Sequence, residues 1–327
     1  MITTFFTNHT FNYTFFRNLS PALITLFIFS TVFLSACSTD DQNDERFYVV
    51  TTTNIIYDAV QHIGGDDIRV HSLMGPGVDP HIYRATPRDF QRMEKADLIF
   101  YNGLFLEGRL ASILDGQGER TYAVASAIPE ELLIPATEFG GSFDPHVWFD
   151  ASLWEIVVND IARVLSEKLP EQEEAFTKRA QRLQEDIRHL HEETLARIQK
   201  IPENQRMLIT AHDAFQYFGK AYGIEVRGLQ GLSTASEYGI QDVIRMVNLV
   251  VERQIPAIFI ETSVSTRAIE SVIEGARNRG FDLRLGGELY SDSMGAIGTP
   301  TGTYTGMFRY NVDTIVQALT RNPEHPS

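Results

Sequence analysis

Two copies of an Asp-Pro-His tripeptide are the residues of this sequence best suited to chemistry. The first is Asp79-Pro80-His81 and the second is Asp144-Pro145-His146. Histidine is the commonest side-chain metal ligand, and a preceding proline stiffens the segment so that the imidazole is held in one direction. The two copies therefore predict two halves of one divalent-metal site. Chance recurrence of a turn-forming tripeptide explains the pattern equally well on these residues alone.

The overall composition is that of a globular protein with ample core. The chain has 327 residues, of which 43% are hydrophobic and 11% aromatic, and this length predicts about two domains. It carries 43 acidic against 28 basic residues, a formal net charge of −15. This balance argues against a nucleic-acid partner, and it suits either a cationic ligand or simple solubility.

Residues 1–36 are predicted to be a lipoprotein signal peptide. The uncharged apolar segment 22–34 has the size of a signal-peptide core and is too short for a stop-transfer helix. It leads into Leu34-Ser35-Ala36-Cys37, where small residues before the only cysteine of the sequence resemble a bacterial lipobox. We expect Cys37 to be lipidated and residues 37–45 to form a flexible tether to the membrane. A secretory signal followed by an unpaired thiol is the alternative.

From Arg46 onward, short apolar runs alternate with amphipathic stretches, the order expected of βα units around a mostly parallel sheet. The pattern predicts an α/β protein with lobes at 46–170 and 202–327, each built on such a sheet with flanking helices. Residues 171–201 contain no Gly or Pro and place apolar residues at helical spacing. We expect them to form one long rigid helix that joins the lobes.

Four side chains are predicted to lie just beyond strands, where open α/β sheets bind their ligands. His81 follows the second strand, His146 lies beyond the fourth strand at 121–127, His212 ends a strand at 206–211, and Asp292 follows the last strand. If they converge, three imidazoles and one carboxylate complete a four-ligand metal shell at the lobe interface. Spacing alone leaves a core or capping role open for each of them.

Three acidic residues are predicted to have supporting roles. Glu261 ends a strand at 257–260 and could orient a ligand histidine, although a solvated strand-end acid or a helix-cap partner is an equally good interpretation. Asp79 and Asp144 are expected to shape their own turns rather than to bind metal.

Five segments together resemble the zinc and manganese solute-binding lipoproteins of bacterial ABC importers. They are GVDPHIY (77–83), YNGLFLEG (101–108), DPHVWFD (144–150), TAHDAFQYFGKAYG (210–223) and LYSDSMG (289–295). The resemblance implies two α/β lobes joined by one rigid helix. It also implies that the residues matching His81, His146, His212 and Asp292 hold a metal ion in the cleft.

The same resemblance implies a function. The expected protein is a lipid-anchored monomer in the periplasm or at the outer face of the cytoplasmic membrane, and it is not an enzyme. It would bind one Mn²⁺ or Zn²⁺ ion per chain as cargo and deliver it to a permease and its ATPase.

The resemblance does not single out one metal. Relatives dedicated to manganese often carry glutamate in place of His212, and relatives dedicated to zinc often carry a histidine-rich loop, whereas residues 107–144 contain no histidine. Three histidines and one aspartate resemble members that handle both metals. We therefore expect manganese import with zinc binding retained.

Two other classes of function compete with import. Three histidines and a weak fourth ligand could leave a coordination position open for a zinc-activated water, as in a hydrolase, but no His-Glu-x-x-His motif supplies a general base. A surface adhesin with a structural metal is the third class.

Overall fold

A computed structural model of the chain describes residues 44–136, 142–236 and 238–320. Cys37, the signal peptide predicted at 1–36 and most of the tether lie outside these ranges. Residues Glu45–Ser327 belong to one compact unit, and the predicted lobe boundaries at 170 and 202 stay predictions. None of the helices in the described ranges combines the length and the apolar character that a membrane crossing requires.

The first half of the unit is built on a four-stranded parallel sheet. Its strand order is β2-β1-β3-β4, and Val49 of β1 pairs with Val70 of β2 and Leu98 of β3. Because the strands are parallel, their carboxyl ends lie at one edge of the sheet. The strands are β1 (Phe47–Thr51), β2 (Ile68–Ser72), β3 (Leu98–Tyr101) and β4 (Thr121–Ala123), and the helices around them are α1 (Asn54–Gly64), α2 (Pro87–Lys95) and α3 (Ala111–Asp115).

The strand predicted at 121–127 is shorter than expected. β4 ends at Ala123, and Val124–Ala127 form a 3₁₀ turn. β4 pairs only with β3, and the ladder stops where Tyr101 faces Ala123 because β3 itself ends there. A short antiparallel hairpin that the sequence did not predict follows, with β5 at Pro135–Ala136 and β6 at Ser142–Phe143.

Two long antiparallel helices, α4 (Ala151–Lys168) and α5 (Glu173–Ile198), pack against each other in the middle of the chain. The helical periodicity predicted for 171–201 is confirmed, since Phe176, Leu183, Ile187 and Leu190 are all buried. The helix itself is α5, preceded by a 3₁₀ turn at Pro170–Gln172, and its 26 residues span about 39 Å. Asp150 is the N-cap of α4, because its carboxylate accepts the Ser152 N–H.

The second half has two parallel strand pairs. β7 pairs with β8, β9 pairs with β10, and β7 also lies beside β9. His212 ends β7, as predicted, and faces Gln230, although the strand covers Met207–His212 rather than 206–211. The strands are β7 (Met207–His212), β8 (Glu225–Gln230), β9 (Ala257–Glu261) and β10 (Arg284–Leu289), and the helices are α6 (Gln216–Tyr222), α7 (Ile240–Arg253), α8 (Arg267–Arg277) and α9 (Tyr304–Thr320).

Aromatic side chains from both halves of the unit share one hydrophobic core. Phe149 stacks on Phe215 with ring centroids 4.2 Å apart, and Phe308 of α9 packs on both Phe149 and Phe218. Burial of such large rings gives rigid contacts. The segments before Phe149 and Phe215 are therefore held in a fixed relation. His146 lies in the first segment, and His212, the last residue of β7, begins the second.

Candidate metal centre

The structure brings the four predicted side chains, His81, His146, His212 and Asp292, together in one buried cluster. One potential ligand atom from each lies within 4.8 Å of those of the others. His81 Nε2 is 3.3 Å from His146 Nε2, and the three distances from histidine Nε2 atoms to Asp292 carboxylate oxygens are 3.3, 3.5 and 3.7 Å. Tetrahedral ligands at the usual zinc distances lie about 3.3 Å apart. The donors are thus already spaced to surround a single ion.

His146 is held in the tautomer that a metal ligand needs. Its Nδ1 lies 2.7 Å from Asp144 Oδ1, which also accepts the His146 backbone N–H. An ionised carboxylate only accepts hydrogen bonds, so Nδ1 carries the proton and the Nε2 lone pair points into the cluster. Asp144 shapes its own turn as expected. Its contact with the imidazole was not predicted, although the two residues are close in sequence.

Glu261 takes the position next to His212 that its strand-end location suggested. Its Oε2 lies 2.5 Å from His212 Nδ1, and its Oε1 accepts the His212 backbone N–H at 2.9 Å. This arrangement is possible because β7 and β9 are neighbours and His212 and Glu261 are the last residues of those strands. The Nε2 atom of His212 is thereby directed at Asp292.

Burial and charge act in opposite directions on the cluster. Burial lowers the pKa of His81 to about 3, so this imidazole is neutral and free to donate its lone pair at neutral pH. Burial opposes charge on His212 as well, but the Glu261 and Asp292 carboxylates outweigh it and raise its pKa well above the ordinary value. For Asp292, burial is outweighed by the histidines, chiefly His212, which hold its pKa well below the usual range.

The donor set fits a divalent ion. Both carboxylate oxygens of Asp292 are buried, and neither accepts a well-aligned hydrogen bond from any residue in the described ranges. Burying a carboxylate that accepts no well-aligned hydrogen bond costs several kcal/mol. A cation placed among the three Nε2 atoms would satisfy both oxygens at once. Three nitrogens and one carboxylate suit zinc, and they accommodate manganese when the carboxylate is bidentate.

Asp292 belongs to the second half of the chain but is held by contacts with the first half. Trp148 Nε1 donates to Ser291 O at 3.0 Å, and Ser293 Oγ accepts the N–H of Gly77 at 2.9 Å. The indole of Trp148 is buried. Its ring also lies edge-on to His146, with centroids 5.4 Å apart.

Asp79 connects the His81 loop to the second half of the chain. Its Oδ1 accepts the His81 N–H at 2.9 Å, which is the turn-shaping role expected of it. Its Oδ2 accepts the hydroxyl of Thr234, which follows β8, at 2.5 Å. This second contact was not predicted, because no local pattern relates residues 155 positions apart.

Fold and site together define an α/β protein with parallel strands whose carboxyl ends surround a buried site able to hold one divalent metal ion. Residues 49–318 match the family model described as the periplasmic zinc-uptake complex component A, and the chain belongs to this family.

Named relatives bind different metals. The chain is 47% identical over 302 residues to the manganese-binding lipoprotein MntA of Bacillus subtilis, covering 91% of this chain and 98% of that protein. It is 43% identical over 286 residues to the zinc-binding protein TroA of Treponema pallidum, covering 87% of this chain and 92% of that protein.

Solved structures agree with the fold described above. The structure of the periplasmic zinc-binding protein TroA from Treponema pallidum matches with a TM-score of 0.82 and 44% identity, over 84% of this chain and all of that one. Fe(III)-bound YtgA from Chlamydia trachomatis matches with a TM-score of 0.77 and 27% identity, over 85% of this chain and all of that one. The predicted α/β fold class and the predicted family are confirmed.

Proposed function

We propose that this protein is the extracytoplasmic metal-capture component of an ABC importer. It binds one ion through His81, His146, His212 and Asp292 and delivers it to a membrane permease and its ATPase. The observation that carries this proposal is the convergence of three imidazole Nε2 atoms on one buried carboxylate. Two of the relatives are named as metal-binding or substrate-binding lipoproteins and one as a zinc-binding protein. These names favour metal capture over hydrolysis or adhesion.

Manganese is the proposed physiological cargo, with zinc binding retained. The relative at 47% identity is named for manganese and the relative at 43% for zinc, so the similarity supports both ions. Affinity at almost any nitrogen and oxygen site is higher for zinc than for manganese. Zinc should therefore bind more tightly in vitro, and the cargo in the cell follows from metal availability. We propose in addition that the mature protein is a monomer anchored through a lipid on Cys37.

The test is a metal titration of the mature protein, residues 37–327, in competition with a chelator. We expect one tight site per chain for Zn²⁺ and a weaker one for Mn²⁺. His81→Ala and His212→Ala should each abolish tight binding, whereas His189→Ala, which changes an exposed histidine of α5, should not. Retention of one-to-one binding in both ligand variants would refute the assignment. Metal content after native purification from cells supplied with both ions identifies the cargo.

A further inference from the structure

The segment Tyr101–Gly108 contains a buried carboxylate that the metal site described above does not use. Glu107 is 3% exposed, and the groups that donate hydrogen bonds to its carboxyl oxygens are uncharged. Its Oε1 accepts the Thr52 hydroxyl at 2.6 Å and the Asn102 N–H at 2.7 Å, and its Oε2 accepts the Gly103 N–H at 3.3 Å. Burial raises the pKa of Glu107, and these three neutral donors offset part of the cost of burying its carboxyl group.

The loop held by this carboxylate is strained. Gly103, Leu104 and Phe105 have consecutive φ angles of 85°, 52° and 65°. Left-handed backbone costs a residue other than glycine on the order of 1 kcal/mol. Phe105 is 67% exposed, so burial of its ring does not offset the strain. Glu107 accepts hydrogen bonds from Asn102 and Gly103 at the start of the loop, and these bonds oppose its relaxation.

The strained loop is connected to the metal site through one side chain. Asn102 Nδ2 donates to Pro145 O at 2.9 Å, and Pro145 immediately precedes His146. The preceding carbonyl, Asp144 O, accepts the Tyr217 hydroxyl at 3.0 Å. The two peptide units before His146 are therefore fixed from opposite halves of the chain.

We propose that Glu107 is a positioning residue for the metal site. By holding the backbone of Asn102, it aims the Asn102 amide at Pro145 and fixes the direction from which His146 Nε2 enters the metal shell. This inference rests on the proposed metal-binding function. It assigns a specific purpose to a buried carboxyl group and to a strained loop.

The experiment compares the wild-type mature protein with Glu107→Gln, Asn102→Ala and the double variant. Gln presents an N–H group to donors that need an acceptor, and Ala removes the link to Pro145. We expect each single variant to weaken Zn²⁺ binding about 10-fold or more in chelator competition. Each should also alter the visible absorption of the Co²⁺-loaded protein, which reports ligand geometry. The double variant should lose no more than the worse single variant, because both act through one connection.

Two further measurements separate positioning from simple destabilisation. In the metal-free protein, amide hydrogen exchange at residues 102–106 should accelerate in Glu107→Gln. The control Asp160→Asn removes a carboxylate of α4 that bonds Tyr122 and Arg163, and it should leave the Co²⁺ spectrum and Zn²⁺ affinity unchanged.

Folded variants with wild-type affinity and a wild-type Co²⁺ spectrum would overturn the role of Glu107 while leaving the proposed function intact. If Glu107→Gln does not fold, Asn102→Ala decides by the same criteria. If the wild type binds no metal tightly, both the proposed function and this inference fail.

Discussion

Asn54 and Met294 exchange two hydrogen bonds across 240 residues of sequence. Asn54 Nδ2 donates to Met294 O at 3.1 Å, and Met294 N donates to Asn54 Oδ1 at 3.0 Å. The side-chain amide of Asn54 thus satisfies both the N–H and the C=O of Met294, as the backbone of a neighbouring strand would. Met294 is two residues beyond Asp292, so α1 of the first half fixes the loop that carries the carboxylate of the site.

This pairing predicts a large effect of Asn54→Ala on stability. The variant leaves a buried N–H and a buried C=O of Met294 without partners, and we expect the free energy of unfolding of the metal-free protein to fall by about 2–3 kcal/mol. Urea denaturation followed by circular dichroism measures it. Zn²⁺ affinity should fall as well, because the loop holding Asp292 is loosened.

The control is Asn159→Ala, which changes an exposed asparagine of α4. It should change stability by no more than about 0.5 kcal/mol. If Asn54→Ala were as mild as this control, Asn54 would not be the residue that holds the Asp292 loop.

Glu261→Gln should weaken metal binding without removing the site. Gln keeps an oxygen for the His212 N–H but loses the negative charge beside Nδ1, so the imidazole becomes a weaker donor. Loss of such an orienting carboxylate typically costs 10–100-fold in metal affinity, and we expect a loss of about that size. Chelator competition measures it, with Glu288→Gln as control because Glu288 is exposed on the adjacent strand β10. Equal affinities of the two variants would show that Glu261 does not orient His212.

Thr234→Val should accelerate metal release. Valine keeps the shape of threonine but removes the hydroxyl that Asp79 accepts, so the contact between the His81 loop and the segment after β8 is lost. One hydrogen bond to a carboxylate contributes about 1.5 kcal/mol or more, which corresponds to a release rate roughly 10-fold faster. Stopped-flow mixing of the loaded protein with excess chelator gives the rate. Thr177→Val, at an exposed position of α5, is the control, and identical rates in the two variants would contradict the predicted coupling.

The features that could be predicted from the sequence are those with a local cause. The periodic burial of α5 is recorded in the spacing of its apolar residues. The candidate ligands could be located because His81 and His146 lie in the repeated Asp-Pro-His tripeptide and His212 ends an apolar strand. The pairings of Asn54 with Met294 and of Asp79 with Thr234 could not be predicted, since the partners lie 240 and 155 positions apart and no local pattern relates them. Glu107 fell within a recognised motif, but its hydrogen bond from Thr52, the residue after β1, joins positions 55 residues apart.

His62 of α1 predicts a stability change at alkaline pH that is independent of the metal site. Its Nδ1 lies 3.2 Å from Asp58 Oδ1, and hydrogen bonding to Asp58 raises the pKa of His62 to about 9 from its ordinary value of 6.5. The folded protein therefore holds this proton more tightly than the unfolded chain does. The resulting stabilisation is fully present below pH 6.5 and is lost as the pH rises through about 9.

The size of this effect is limited by solvent, because the His62 side chain is 48% exposed. Because solvent screens the interaction, we expect the shared proton to contribute about 1 kcal/mol to the free energy of unfolding. Urea denaturation of the metal-free protein measures the unfolding free energy at pH 6 and at pH 9.5. Between these two pH values, the unfolding free energy of the wild type should fall by about this amount more than that of His62→Gln. The control His189→Gln, at an exposed position of α5, should retain the full wild-type difference. If His62→Gln showed the same fall as the wild type, the proton shared with Asp58 would not contribute to stability.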